Sequence, residues 1–313
     1  MDTNPAATTS VPALIPHVAA VGEQLIAQMI AFGAGNYPVG DPNLDVGYLR
    51  WLCIDNPCGR AQAVVIRADD RLVGQAILVP VDLATGDCVT RGYFVVNVLT
   101  DPEFRNRRLF STIIDAAKEF ASGRREWLLG HPNAAALPGW TRKQMTFRTA
   151  LTPHLCGLGF AIGRKVESID TEAGLMMEWP GIESCLGSSS DRHVRIVRTL
   201  EYMRWRFMRR PDKHYRLGLC RGKGGRLLGF YVATRWKRHL DLVVDHGRCN
   251  GNREQVRIDR PAIVMLPWER GRIIPSDVAA VRLPVRKTFP FFATTFVADE
   301  LCFDDLTLAA SDF

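Results

Sequence analysis

YFVVNVLTDPEFRNRRLFSTIIDAAKEFASGRREWLLGHPN, residues Tyr93 to Asn133, holds four successive pieces: an apolar run, a basic loop, an amphipathic stretch and a second short apolar run. Tyr93 to Leu99 is apolar except at Asn97, as expected of a central strand covered on both faces. Thr100-Asp101-Pro102 ends it, and Arg105, Asn106, Arg107 and Arg108 form the loop. Leu109, Ile113, Ala117 and Phe120 then recur at the spacing of one helical face. A strand that hands over to a helix through a basic loop suits a pyrophosphate, because the first helical turn has unpaired N–H groups and a partial positive charge. Arg105, Arg107 and Arg108 add charge-assisted contacts. The order therefore points to a nucleotide-like cofactor, against the alternative of a solvated basic loop with no ligand.

Outward from this stretch, two distant segments echo each other. Tyr48-Leu-Arg-Trp51, Pro57 and Arg71-Leu-Val-Gly74 correspond to Tyr202-Met-Arg-Trp205, Pro211 and Arg226-Leu-Leu-Gly229. The offset is 154 residues at Tyr, Trp and Pro and 155 at Arg-Leu-x-Gly, which one inserted residue explains. Each copy reads as a helix with Tyr and Trp, a proline break, and two strands around a turn, at Ala68-Asp69-Asp70 and at Gly222-Lys-Gly-Gly225. The chain is thus expected to be a tandem repeat of one α/β unit. The Gly/Ser-rich run Cys185 to Ser190 separates residues 1–184 from residues 191–313 as two domains.

Composition bounds the remaining classes. The chain has 313 residues, 47% apolar and 23% charged, ordinary for a globular protein of two domains. Val11 to Ala31 is interrupted by Glu23, Gln24 and Gln28, so neither a signal peptide nor a membrane span fits, and one amphipathic helix is expected. Eight cysteines lack a Cys-x-x-Cys pair, which favours reduced thiols and a cytoplasmic location. A net charge of +7 attracts an anionic partner without choosing among coenzyme, sugar nucleotide, nucleic acid and acidic lipid.

At Val98 to Phe110 the chain resembles the GNAT acyltransferase superfamily, whose signature is Arg/Gln-x-x-Gly-x-Gly/Ala between the fourth strand and the third helix, with Arg105 at the first motif position. Arg108 and Phe110 stand where the motif has Gly and Gly/Ala. Trp127-Leu-Leu-Gly-His-Pro-Asn133 resembles the family's fifth strand followed by its Asn. More narrowly, Tyr-x-x-Trp near Asn-Pro, the Arg-rich loop ending in Leu-Phe, and Pro-Asn resemble a tandem GNAT-like branch associated with bacterial sugar or polysaccharide modification. The resemblance covers most of residues 45–150 and, more weakly, 195–235.

The resemblance implies an α/β (α+β) fold of two tandem GNAT-like units, each a mixed, mostly antiparallel sheet flanked by helices. The first unit is the acyl-CoA-binding domain, and the second is a degenerate copy that shapes the substrate cleft. The implied activity is an N-acetyltransferase that uses acetyl-CoA as donor and a small amine as acceptor, an amino sugar or nucleotide-linked amino sugar being favoured, by direct attack on the thioester. The backbone around Leu99 and Thr100 would hold the pantetheine arm, and Asn106, Arg107, Arg108, Leu109, Phe110 and Ser111 the pyrophosphate. Asn133 would hold the cofactor arm or substrate. Family members often carry a Glu near the fourth strand and a Tyr after the fifth; this chain offers Asn97 and Trp140, so Asn97 and His131 are the catalytic candidates and Trp140 the substrate-side one. His131 titrates near neutral pH as a type and stands at the end of the fifth strand.

Two other readings stand beside this one. A GNAT-like binding or structural protein without catalysis is the first. Nucleic-acid binding is the second, raised by Arg192, Arg195, Arg198, Arg204, Arg206, Arg209 and Arg210 on an expected helix from His193 to Arg210. Val197, Leu200, Met203 and Phe207 give that helix an apolar face, which makes the arginines its solvated side. No metal is expected, since His239, His246 and Cys249 lack zinc spacing. The second unit lacks the basic loop and the amphipathic helix, so one cofactor site is expected per chain.

Overall fold

Two copies of one strand order follow each other along the chain. The computed structural model describes residues 14–104, 107–143, 145, 147–157, 166–186, 194–249, 256–269, 272–273, 278, 280–283 and 289–294. The first copy runs β1 (Pro16–Ala20), α1 (Glu23–Gly33), α2 (Val46–Cys53), β2 (Gln62–Ala68), β3 (Arg71–Thr85), β4 (Cys88–Thr100), α3 (Leu109–Ser122), β5 (Trp127–Gly130), α4 (Leu137–Thr141) and β6 (Phe147–Cys156). The second runs β7 (Val166–Ile169), α5 (Glu172–Leu186), β8 (Val194–Ile196), α6 (Leu200–Met203), β9 (Tyr215–Arg221), β10 (Leu227–Lys237), β11 (Leu240–Arg248), β12 (Ala262–Glu269), β13 (Arg272–Ile273), β14 (Ala280–Arg282) and β15 (Phe289–Thr294).

The pairing repeats as well. β1, β2, β3 and β4 pair antiparallel in succession and β4 pairs parallel with β5. β7, β9, β10 and β11 do the same, and β11 pairs parallel with β12. The fold is α+β with two mixed sheets, mostly antiparallel. By strand order the second copy starts at Val166, ahead of the 185–190 run, and α5 extends through Cys185 and Leu186.

The two sheets exchange strands where they meet. β15, from the end of the chain, pairs with β5 of the first unit, and β6 of the first unit pairs with β12 of the second. β6 and β15 also pair with each other, so the two sheets join edge to edge. A closed exchange leaves fewer exposed strand edges than two separate sheets would.

The repeated Tyr and Trp explain why the copies hold together. Asp45 caps α2 by accepting from Tyr48 N (2.7 Å), and Thr199 caps α6 by accepting from Tyr202 N (3.1 Å), three residues ahead of each Tyr. Trp51 and Trp205, 3% exposed each, then meet face to face with centroids 4.9 Å apart at 18°. Each indole Nε1 donates to the other's backbone carbonyl at 2.8 Å. They sit in a core that joins Ile26, Met29 and Leu83 of the first unit to Leu217, Phe230 and Val244 of the second. A separate core under α3 covers the other face of the first sheet.

Three expectations change. The expected helix from Val11 to Ala31 is interrupted: Val11 to Ala13 lie outside the described residues, Pro16–Ala20 is a strand paired with β2, and Gly22 opens α1. Tertiary pairing overrides a spacing that both arrangements satisfy. The expected helix from His193 to Arg210 is a strand, a single α-turn at Leu200–Met203 and a π-helical turn at Arg204–Met208; Arg192 and His193 lie outside the described residues. Its arginines do not form one solvated face: Arg206 and Arg210 are buried and Arg198 pairs with buried Asp245 (2.7 Å), while Arg204 and the exposed Arg209 bind Glu172. Finally, Cys185 and Cys249, 64 residues apart, are joined as a disulfide because the end of α5 reaches the end of β11, while Cys53, Cys58, Cys88 and Cys156 are free thiols. Among the described residues no helix is long and apolar enough to cross a membrane, and no cluster of His, Cys, Asp and Glu side chains could hold a metal ion.

Candidate functional site

The site begins with a register shift in β4. Ile77 pairs with Val96 and Gln75 with Leu99, so β4 carries one more residue than β3 over this step. The extra residue makes a β-bulge, which bends the strand and re-aims its side chains. Asn97 lies in the bulge with φ 52°, the left-handed region that Asn tolerates better than most residues. Its Oδ1 accepts from Tyr37 Oη at 2.5 Å. Tyr37 belongs to the α1–α2 connection and packs on Gly33 of α1. Burial, with Asp41 and Tyr48 nearby, raises the Tyr37 pKa above that of an ordinary phenol, so it stays protonated at neutral pH.

Beyond the bulge the sheet opens. β5 follows β4 only from Gly92↔Trp127 to Val95↔Gly130, whereas β4 continues to Thr100. Among the described residues the edge of β4 from Val96 to Thr100 that faces away from β3 therefore has no strand neighbour, and its backbone groups can bond an extended, amide-bearing ligand. These residues, Leu99 and Thr100 among them, are half-buried.

Past Thr100, Asp101 N donates to Val73 O (2.9 Å) and a 3-10 turn at Pro102–Phe104 leads toward α3. Arg105 and Asn106 lie outside the described residues. Arg107 stacks over the Phe104 ring at 5.2 Å. Arg108 is the N-cap of α3 with φ 57° and ψ 22°, and no side chain caps the helix. It thus adopts the left-handed conformation that a glycine takes without strain. The amides of Leu109, Phe110 and Ser111 open the helix without acceptors inside it. Leu109 and Ile113 hold α3 on the sheet, and Phe110 lies over Gly139 of α4, where a Cβ would come within 2.3 Å of the ring. A basic, uncapped helix start beside an open strand edge matches a ligand with an amide arm and a pyrophosphate, so the chemistry of the donors fits a coenzyme A thioester.

The remaining expected residues fall around the same opening. His131 directly follows β5, one residue beyond the last pair with β4, and its Nε2 is shielded from solvent. Asn133 is exposed; its Oδ1 accepts from Ala136 N (2.9 Å) and its carbonyl from Leu137 N (3.0 Å), so it shapes the start of α4. Trp140 is 2% exposed, packed on Gly130 and 5.9 Å from Phe292. It offers no surface to a substrate, because a large ring after a small Gly fills the core. Sequence reasoning missed Tyr37, whose contact with Asn97 spans 60 residues and has no local signal.

The second unit repeats the bulge but not the opening chemistry. Val232 pairs with Asp245 and Ala233 with Val243, so β11 bulges at Val244. There Asp245, 2% exposed, is met by Arg198 from the segment before α6, where the first unit has Asn97 met by Tyr37. Among the described residues no helix follows β11.

Residues 19–130 match the model of an acetyltransferase (GNAT) domain. No curated protein matches the sequence. Among solved structures, a probable N-acyltransferase of Enterococcus faecalis V583 aligns with TM-score 0.61 at 12% identity, over 90% of this chain and 73% of that one. A tandem GNAT protein from the clavulanic acid biosynthesis pathway aligns with TM-score 0.50 at 13% identity, over 91% and 100%. The N-myristoyltransferase of Saccharomyces cerevisiae, solved with myristoyl-CoA, aligns with TM-score 0.54 at 8% identity, over 92% and 82%. Residues 19–130 thus resemble a GNAT acetyltransferase domain, in a chain whose fold is similar to tandem GNAT and N-myristoyltransferase structures.

Proposed function

We propose that the chain is an acyl-CoA-dependent N-acetyltransferase with one coenzyme site, in its first unit, and that its acceptor is a small amine, foremost an amino sugar or nucleotide-linked amino sugar. The observation that carries this reading is the length of β4 beyond Val95 whose β5 side has no strand neighbour among the described residues, next to the basic start of α3. The donor supplies an electrophilic thioester carbonyl. Backbone groups around Leu99 and Thr100 hold its amide arm, and the amides of Leu109, Phe110 and Ser111, with Arg107, Arg108 and the loop residues Arg105 and Asn106, take its pyrophosphate. The exposed amide nitrogen of Asn133 is available to the arm or to the acceptor. His131, at the point where β5 parts from β4, accepts the proton that the amine loses as its nitrogen bonds the thioester carbonyl carbon; the C–S bond breaks and the coenzyme A thiolate leaves, taking a proton from water. Asn97, fixed by Tyr37, orients the amine. The buried Arg198–Asp245 pair supports a second unit without a site of its own. The acceptor class rests on the likeness of Tyr48 to Trp51, Asn56-Pro57 and the loop to a sugar-modifying branch, and on a basic balance that tolerates phosphate.

A second reading, a coenzyme-binding protein without turnover, draws on Arg108, which holds a left-handed position with a Cβ. Calorimetry with acetyl-CoA, followed by a mass-spectrometric screen of amino sugars, nucleotide sugars and amino acids, separates the two. The expected result is one coenzyme per chain and an acetyl mass gain on an amino sugar. No binding at millimolar acetyl-CoA, or two coenzymes per chain, refutes the proposal; binding with no mass gain on any amine supports the second reading. An unchanged pH–rate profile in His131→Ala removes His131 from the mechanism.

A further inference from the structure

β10 and β11 meet in a hairpin whose end, from Arg235 to His239, is exposed at every residue. Arg235 pairs with Asp241 and Lys237 with Leu240, so Trp236 is the extra residue of a bulge. A bulge breaks the alternation of side chains and re-aims one of them. Trp236 is accordingly 52% exposed, although a ring of that size is as a rule mostly buried. The turn beneath it is braced: Arg235 Nη1 donates to the Arg238 carbonyl (2.9 Å), and Arg235 Nε pairs with Asp241 (2.9 Å). The indole therefore stands out from a fixed support, with Lys237 Nζ 4.7 Å from its ring centre.

The charge around the ring has one sign. Asp241 N donates to the Pro261 carbonyl (3.1 Å), which brings the exposed Arg260 to the same end of the sheet as the hairpin. The carboxylates nearby are already engaged: Asp241 by Arg235 and by Arg216 (3.4 Å), and Asp259 by Arg216 (3.1 Å) and the Tyr231 hydroxyl. Among the described residues no carboxylate pairs with Lys237, Arg238 or Arg260, so these three cations remain around one projecting indole. Charge complementarity calls for an anionic partner, and shape selects which. A single strand of nucleic acid needs a groove that tracks its backbone and a series of aromatic rings for successive bases. A hairpin end with one ring is convex and meets a flat surface instead. Trp favours the headgroup level of a bilayer, and each Lys or Arg close to an anionic leaflet strengthens attachment about fivefold.

We infer that the β10–β11 hairpin is a docking surface for an anionic lipid membrane, with Trp236 lodged at headgroup level and Lys237, Arg238 and Arg260 set against lipid phosphates. The attachment is peripheral and reversible, and it is independent of the acyltransferase reading, since no residue of the coenzyme site takes part. Co-sedimentation of the full chain with vesicles of phosphatidylcholine mixed equally with phosphatidylglycerol tests it, with pure phosphatidylcholine vesicles and a single-stranded oligonucleotide as the other arms. The wild-type chain sediments with the mixed vesicles and not with the neutral ones, and high salt releases it. Trp236→Ala weakens binding about tenfold, and the pair Lys237→Ala and Arg238→Ala together about thirtyfold. Met177→Ala, at a side chain 81% exposed on α5, binds as the wild type does. All these side chains are exposed, so the variants melt with the wild type and the losses report contact with lipid. Absence of vesicle binding, equal binding to neutral and mixed vesicles, or equal binding by the hairpin variants and the wild type overturns the inference. An oligonucleotide that binds the wild type and not the hairpin variants, with no vesicle binding, makes the partner a nucleic acid and overturns it too.

Discussion

Replacing Trp51 by Phe tests whether the two units are held as one by their matched tryptophans. The ring stays and the indole N–H goes, so the Trp205 carbonyl, buried and bonded at 2.8 Å, loses its donor. An unsatisfied buried carbonyl costs about 1–3 kcal/mol. Trp205→Phe removes the reciprocal bond, also 2.8 Å, with the same expected cost. Because the two rings are in contact, the double variant departs from the sum of the single costs, about 2–6 kcal/mol, by a coupling of about 0.5–3 kcal/mol. Against a total stability of about 5–15 kcal/mol this is a large share. Trp51→Ala goes further, by about 3–5 kcal/mol, as it also empties the ring site and removes the face beneath Arg210, whose guanidinium lies 5.1 Å from it. Urea unfolding followed by far-UV circular dichroism gives each value, and calorimetry shows whether the units melt together. A cost under about 0.5 kcal/mol for Trp51→Phe, or two separate transitions in the wild-type chain, would refute the reasoning.

Two further predictions follow from backbone and charge. Since Arg108 sits at φ 57°, Arg108→Gly is more stable than Arg108→Ala by about 1 kcal/mol, the reverse of the order at an ordinary helical position; thermal melting of the pair checks the sign. Arg209 and Arg204 hold the Glu172 carboxyl down from 4.5 to about 2, so the folded state binds this proton more weakly than the unfolded chain does. The stability this carboxylate contributes is present above its unfolded value and lost as pH falls from about 4.5 toward about 2, and Glu172→Gln loses that part of the pH dependence in acid titrations of stability.

Much of the first unit is legible in local spacing. Asp69-Asp70 marks the β2–β3 turn, with Asp69 at φ 53°, and the Gly222–Gly225 turn uses positive φ at Gly224 and Gly225. The face set by Leu109, Ile113 and Ala117 is buried as its spacing requires. Where the reading fails, a distant partner decides. The N-terminal stretch becomes a strand because β2 is there to pair with it. Arg198 turns inward because Asp245, far along the chain, supplies the charge that makes its burial tolerable, while Arg209, paired with Glu172, stays exposed. Cys185 and Cys249 meet only because α5 packs near the end of β11.

The site divides the same way. The sequence by itself determines that a strand passes through a basic loop to a helix, and that Tyr48 to Trp51 returns at Tyr202 to Trp205, because periodicity and repetition are local properties of side chains. Only the tertiary structure decides that β4 outruns β5, that Tyr37 reaches Asn97, and that β15 completes the first sheet. Register, sheet face and strand exchange depend on which backbone edge meets which, and that choice is made by the burial of both faces at once, not by any one segment.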